Sequence, residues 1–266
     1  MMASTVFVEK YENARDRKRS ILCVGLDPAV RGMRTDNIVP DDYFKGRDVG
    51  EGLLDFCLDT IDNVADHCCA VKANAQYLLF HMNLGQLKIL NKTAHKEGLV
   101  TILDNKLGDI GSTNSASLHW TGEAGFDAFT FSPYAGNIRE CVSEAHQKNL
   151  GVFVLTLMSN PQAVWIQKET GLYKRVARES AEALADGLVV GATGHVTSED
   201  IIGLRDIAGS STVFLFPGVG AQGGDAQKTV KESGNNILVN VGRSIIFSDN
   251  PKEKAEEYNK LLNSFR

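Results

Sequence analysis

Short apolar runs recur along the chain, and between them lie stretches whose apolar residues fall at helical spacing. The runs span residues 21–26, 69–73, 99–103, 128–131, 152–157, 188–191, 213–216 and 237–241. Each has the length and the β-branched or aromatic content of a buried strand. Residues 53–64, 77–95, 114–124, 138–147, 171–185, 198–207 and 226–232 read as helices. Pro251 opens a last one over 252–262, since proline is favoured in a helix's first turn. Strand followed by helix, eight times over, predicts parallel strands joined by crossover helices. That count over a chain of this length is the size of a (β/α)8 TIM barrel in the α/β class. An open doubly wound sheet is the rival, because counting does not prove closure. Residues 28–50 form the one long irregular stretch and read as a loop above the first strand. No linker or low-complexity tract interrupts the pattern, so residues 1–266 are expected to form a single domain.

Composition narrows the class. The chain has 266 residues, 43% hydrophobic and 23% charged, with a net charge of −5, which leaves no basic footprint for nucleic acid. No apolar run is long enough for a membrane span. The first twenty residues carry charge where a signal peptide needs an apolar stretch. The five cysteines, Cys23, Cys57, Cys68, Cys69 and Cys141, are odd in number and form no CxxC pair. They read as core thiols of a cytoplasmic protein. The six histidines show no metal spacing and read as structural.

The chemistry gathers where strands end, which in a barrel is where active-site groups are placed. The first run ends in Gly25-Leu26-Asp27-Pro28, the second in Val71-Lys72-Ala73-Asn74, and the third runs into Asp104-Asn105-Lys106-Leu107-Gly108-Asp109. In a regular strand, side chains two apart share a face, so Asp104 and Lys106 are expected to point the same way. Charges at the mouth of an apolar strand are costly unless paired, so the segment reads as built to hold a charged lysine in place. A solvated surface ion pair is the bland alternative. Lys72 reads either as a snorkelling lysine or as a site residue level with Lys106, and Asp27 before Pro28 as a turn former or a site carboxylate. The fifth run ends in Thr156-Leu157-Met158-Ser159-Asn160. After the seventh come Gly218, Gly220, Gln222, Gly223 and Gly224, and after the eighth Gly242-Arg243. Glycine-rich backbone N–H clusters bind anions, and a guanidinium suits a phosphate, so a phosphate site is expected there. Asp104 and Asp109 would suit a divalent metal were Lys106 not between them.

Together these residues resemble the orotidine 5′-monophosphate decarboxylase family. Its DxKxxDIxxT segment matches 104–113, its upstream lysine matches Lys72, its PGxGAQGGD loop matches 217–225, and its following Gly-Arg matches Gly242-Arg243. The form LCVGLDP, here 22–28, is similar to the type 2 branch. Where many relatives read DIPNT, this chain reads Asp109-Ile110-Gly111-Ser112-Thr113. The resemblance implies cofactor-free and metal-free conversion of orotidine 5′-monophosphate (OMP) to UMP and CO2 in pyrimidine biosynthesis. Lys106 is then the ammonium beside C6 and the proton donor, Asp104 lies near the substrate carboxylate, and Lys72 and Asp109 hold the charge array. Asp27 and Lys72 meet ribose hydroxyls, Ser159 the pyrimidine edge, and Gln222, Gly242 and Arg243 the phosphate. It further implies a homodimer in which Asp109 and Thr113 reach the neighbouring subunit's site. Sugar-phosphate decarboxylases and aldolases that use Mg2+ are the enzymatic rivals, and a phosphate-binding barrel without turnover is the rival of another class.

Overall fold

The computed structural model describes residues 5–218 and 226–266. Its strands are β1 (Leu22–Leu26), β2 (Ala70–Asn74), β3 (Val100–Leu107), β4 (Ala128–Phe131), β5 (Gly151–Leu157), β6 (Gly187–Val190), β7 (Val213–Pro217) and β8 (Ile237–Val241). All pair in parallel in sequence order, and β8 pairs with β1, so the sheet closes. The (β/α)8 TIM barrel stands, and the open sheet does not.

The helices are α1 (Val6–Lys18), α2 (Val49–Val64), α3 (Ala75–Leu78), α4 (Leu84–Lys96), α5 (Gly111–Ala124), α6 (Ile138–Gln147), α7 (Leu172–Glu182), α8 (Ser198–Ala208), α9 (Ala226–Ser233), α10 (Arg243–Ile246) and α11 (Pro251–Asn263). Three starts are set by capping boxes: Asp48 with Glu51 for α2, Asn83 with Gln86 for α4, and Thr197 with Asp200 for α8. Each satisfies two backbone donors left over at a helix start. The expected helix over 77–95 is in fact two, because the Asn83 cap restarts the chain after α3.

Two apolar layers follow from the closed sheet. The outer one lies between strands and helices. The inner one fills the barrel with Cys23, Ile102, Phe153, Val189 and Leu215, and α1 closes it from below with Phe7, Val8, Tyr11 and Ala14. Phe7 meets Phe153 edge-on at 5.3 Å between centroids, and the Tyr11 hydroxyl donates to the Ile237 carbonyl at 2.8 Å. Helix α1 falls in a segment where the apolar pattern predicts no element. Its signal is the Phe7, Tyr11, Ala14 spacing behind the Thr5 cap, a narrow stripe on an otherwise charged segment. All five cysteines are buried and free.

The stretch 28–50 is a folded strap rather than a bare loop. Val39 N donates to the Ala29 carbonyl at 2.8 Å, and Asp41–Phe44 form a 3-10 turn whose Tyr43 packs edge-on against Phe56. Arg34 ties it to the barrel mouth: its guanidinium donates to the Asp27 carbonyl at 2.6 Å and lies 5.1 Å from the Tyr77 ring centroid.

At the opposite end of the barrel, buried carboxylates pin helices to strands. Asp127 accepts from Thr101 N at 2.9 Å and pairs with Lys10 and His95. Asp186 accepts from Val152 N at 2.8 Å and meets His146 at 2.9 Å. That hydrogen bond holds the His146 imidazolium above its ordinary pKa of 6.5. A raised folded value means stabilisation that is complete below the unfolded pKa and lost as pH rises through the folded one. Between a pH below the ordinary imidazole value and a pH above the raised folded one, the parent protein is therefore expected to lose unfolding free energy, and His146→Ala to lose less of it. Urea unfolding at the two pH values checks this; equal slopes for both proteins would refute the contribution.

Candidate active site

The carboxyl ends of the strands bring three of the expected charges together. Lys72 on β2 reaches up to Asp104 on β3, with Nζ 2.5 Å from Oδ2. Lys106 approaches the other oxygen, with Nζ 2.7 Å from Oδ1. The two lysines differ in access: the Lys72 side chain is 5% exposed and that of Lys106 is 46% exposed. Lys72 is thus the deeply buried charge of the pair, and Lys106 the more accessible ammonium.

The burial is sustained by charge pairing, because a lone buried ion would neutralise itself. Desolvation pushes the Lys72 ammonium towards its neutral form, but the carboxylates of Asp104 and Asp27 outweigh it and hold its pKa above the usual lysine value. Desolvation likewise pushes Asp104 up, and Lys72 and Lys106 overcome it, leaving the carboxyl well below the usual range. Neither group changes charge near neutral pH. Among the described residues, no group of three or more His, Cys, Asp or Glu is placed to hold a metal ion.

Asp104 and Lys106 meet, but not by the alternation of a regular strand. The β3–β4 register runs from Leu103 opposite Phe129 to Leu107 opposite Phe131. Residues 104–106 therefore face Thr130 alone, and β3 bulges. Lys106 has φ +50°, a conformation that costs a side-chain-bearing residue on the order of 1–2 kcal/mol. The bulge turns Lys106 back over Asp104. It is not readable from residue types, because period-2 reasoning assumes an unbroken pleat.

Asp27 follows β1, beside the end of β8. A Cβ on Gly242 would stand 3.3 Å from Asp27 Oδ2 and 3.3 Å from the Gly25 carbonyl oxygen, so glycine is what lets these two strand ends close up. Asp27 Oδ1 is buried with no hydrogen-bond partner, an acceptor left unpaired. Arg243 follows as the first residue of α10. Ser159, past the end of β5, is pressed against the residue that follows β6: a Cβ on Gly191 would come within 2.8 Å of its backbone nitrogen.

Asp109 and Thr113 do not join the cluster within this chain. Asp109 is exposed, its carboxylate accepting from Ile110 N at 2.9 Å, and Thr113 is exposed in the first turn of α5. Gln222, with Gly220, Gly223 and Gly224, lies outside the described residues; Gly218, at φ +86°, lies just before them. Two residues of the site region escaped the sequence reading. Arg34 sits in a stretch without periodicity, and Thr130 is hidden in the apolar run of β4, where a lone threonine reads as a strand former. Among the described residues, no helix is long and apolar enough to cross a membrane.

Residues 20–258 match the model of the orotidine 5′-phosphate decarboxylase / HUMPS family. The chain is 34% identical over 255 residues to the orotidine 5′-phosphate decarboxylase of Dechloromonas aromatica, covering 91% of this chain and 90% of that one. It is 33% identical to that of Dehalococcoides mccartyi, covering 98% of both. Among solved structures, OMP decarboxylase from Leishmania donovani superposes with a TM-score of 0.79 at 24% identity over 97% of this chain and 98% of that one, a likeness of fold. Orotidine 5′-monophosphate decarboxylase from Methanocaldococcus jannaschii, complexed with inhibitor BMP, superposes with a TM-score of 0.70 at 25% identity over 91% of this chain and 98% of that one.

Proposed function

The chain belongs to the orotidine 5′-phosphate decarboxylase / HUMPS family, and from that premise we propose that it is a carboxy-lyase that converts OMP to UMP and CO2 through the Lys72–Asp104–Lys106 cluster. The observation that carries the reading is one carboxylate gripped by two ammoniums at the barrel mouth, one buried and one accessible. Curated relatives that share a third of its residues over nearly the whole chain bear the name of that activity.

Breaking the C6–carboxylate bond leaves an electron pair on C6, where the ring delocalises it poorly. A fixed ammonium beside that carbon stabilises the charge without reorganising at the moment of reaction. Lys106 fills this role and then transfers an Nζ proton to C6, giving UMP. Asp104 stands next to the departing carboxylate and pairs with both lysines. Lys72 compensates Asp104 from below and offers a proton to a ribose hydroxyl. The Asp27 carboxylate, whose Oδ1 has no partner within the chain, accepts from ribose, and Ser159 meets the pyrimidine edge. Gly242, Arg243 and Gln222 take the phosphate, so that remote binding energy supports the reacting centre. The exposed Asp109 and Thr113 are suited to completing the site of a second copy, which makes the working form a homodimer with shared sites. Five buried free thiols fit a cytoplasmic enzyme.

Incubating the purified protein with OMP and following the loss of its absorbance tests the reading. UMP should accumulate in step with that loss; an unchanged OMP spectrum beside turnover of a hexulose phosphate would reject it. Within the same assay, Arg243→Ala should weaken substrate binding by about 2–3 kcal/mol, the scale of a charged hydrogen bond, and raise KM roughly 30- to 150-fold. Equal KM values would remove Arg243 from the phosphate site.

A further inference from the structure

We propose that Thr130 is a positioning residue for this reaction, its hydroxyl fixing both the Asp104 carboxylate and the backbone that carries Lys106; the proposal rests on the decarboxylase reading above. The Thr130 hydroxyl donates to Asp104 Oδ1 at 3.0 Å and accepts from Lys106 N at 2.9 Å. A threonine hydroxyl has one proton to give, and an ionised carboxylate can only accept, so the direction of both bonds is settled. The hydroxyl thereby joins the two residues whose separation the chemistry needs fixed.

The β3 bulge explains why a side chain has this task. Three residues, 104–106, face Thr130 alone, so the Lys106 amide has no regular ladder partner. The threonine oxygen takes the place of the missing carbonyl. It thereby helps hold a backbone conformation, φ +50°, that lysine would not adopt unaided. Thr130 is itself 1% exposed, and its branched side chain is stiff about χ1, so the oxygen cannot swing away. Asp104 Oδ1 is then shared between Thr130 and Lys106 while Oδ2 belongs to Lys72. Such a division fixes the plane of the carboxylate and, with it, where the Lys106 ammonium comes to rest.

Thr130→Val keeps the shape and removes the hydroxyl; Thr130→Ser keeps the hydroxyl. The valine variant is expected to lose about 10- to 100-fold in kcat for OMP, the scale of hydrogen bonds to a charged group, with KM within about threefold of the parent. The serine variant should stay within about threefold in both. A role in packing alone would give the opposite order, because valine fills the site better than serine. Should the valine variant not fold, Thr130→Cys, of similar bulk with a weaker hydrogen-bonding group, is expected to show the same fall in kcat. Parent-like kcat in Thr130→Val, or in Thr130→Cys where that stands in, would overturn the proposal, as would serine and valine variants impaired alike. A parent protein that leaves OMP untouched would instead overturn the reading on which it rests.

Discussion

Replacing Lys106 with alanine is expected to lower kcat for OMP by at least ~10³ while leaving the protein folded. The size follows from the work assigned to the ammonium. A single preorganised donor aimed at a developing charge is worth roughly 3–4 kcal/mol, and Lys106 supplies both that field and the proton. The survival of the fold follows from access. The Lys106 side chain is nearly half exposed, and Asp104 keeps Lys72 at 2.5 Å and Thr130 at 3.0 Å after the change. The buried carboxylate is therefore not stranded, which is the usual source of large destabilisation when an ion pair is cut. Lys72→Ala would not separate the two effects, because it leaves Asp104 without its buried partner. Steady-state kinetics on a Lys106→Ala protein whose unfolding midpoint matches the parent's checks the prediction; near-normal turnover would end the role of Lys106.

Mixing two inactive proteins should restore activity. Asp109, just before α5, and Thr113, in its first turn, are exposed and stand apart from the Lys72–Asp104–Lys106 cluster. If they serve the neighbouring subunit, a Lys106→Ala chain still lends a sound Asp109 to its partner. An Asp109→Ala chain likewise keeps a sound cluster of its own. Random exchange of subunits then makes half of the dimers mixed, each with one intact site, so about a quarter of parental activity returns. Each protein alone stays inactive because both of its sites carry the same lesion. Mixtures that remain inactive after subunit exchange has been demonstrated would refute shared sites, and so would a native mass equal to that of one chain.

The strands and their order were legible because a parallel strand buried on both faces reads as an unbroken apolar run. Strand edges were found to within a residue or so at most positions; β4 and β8 coincide with the apolar runs at 128–131 and 237–241. The charged residues at the strand ends were legible for a related reason: Lys72 and Asp104 interrupt apolar runs where only pairing makes burial tolerable. What stayed hidden depends on contacts far apart in sequence. The bulge that turns Lys106 over Asp104 is set by its pairing with β4, and the role of the Thr130 oxygen appears only once that pairing is known. Helix α1 is polar over most of its surface, and its burial becomes evident only when the barrel offers it a floor to close. Asp109 reads in sequence as one of four charges in a row of strand ends, but the turn after β3 carries it out to the surface. The Arg34 strap shows no periodicity, and its anchoring is a tertiary matter throughout.

A metal-dependent sugar-phosphate enzyme would need an Mg2+ ion on the carboxylates of this site. An Mg2+ ion would have to share Asp104 with two lysines already bonded to its oxygens, an unfavourable arrangement of like charges. The kcat for OMP, measured on protein stripped with EDTA and on untreated protein side by side, puts this to the test. The account predicts equal values; turnover that vanishes on stripping and returns with Mg2+ would contradict it.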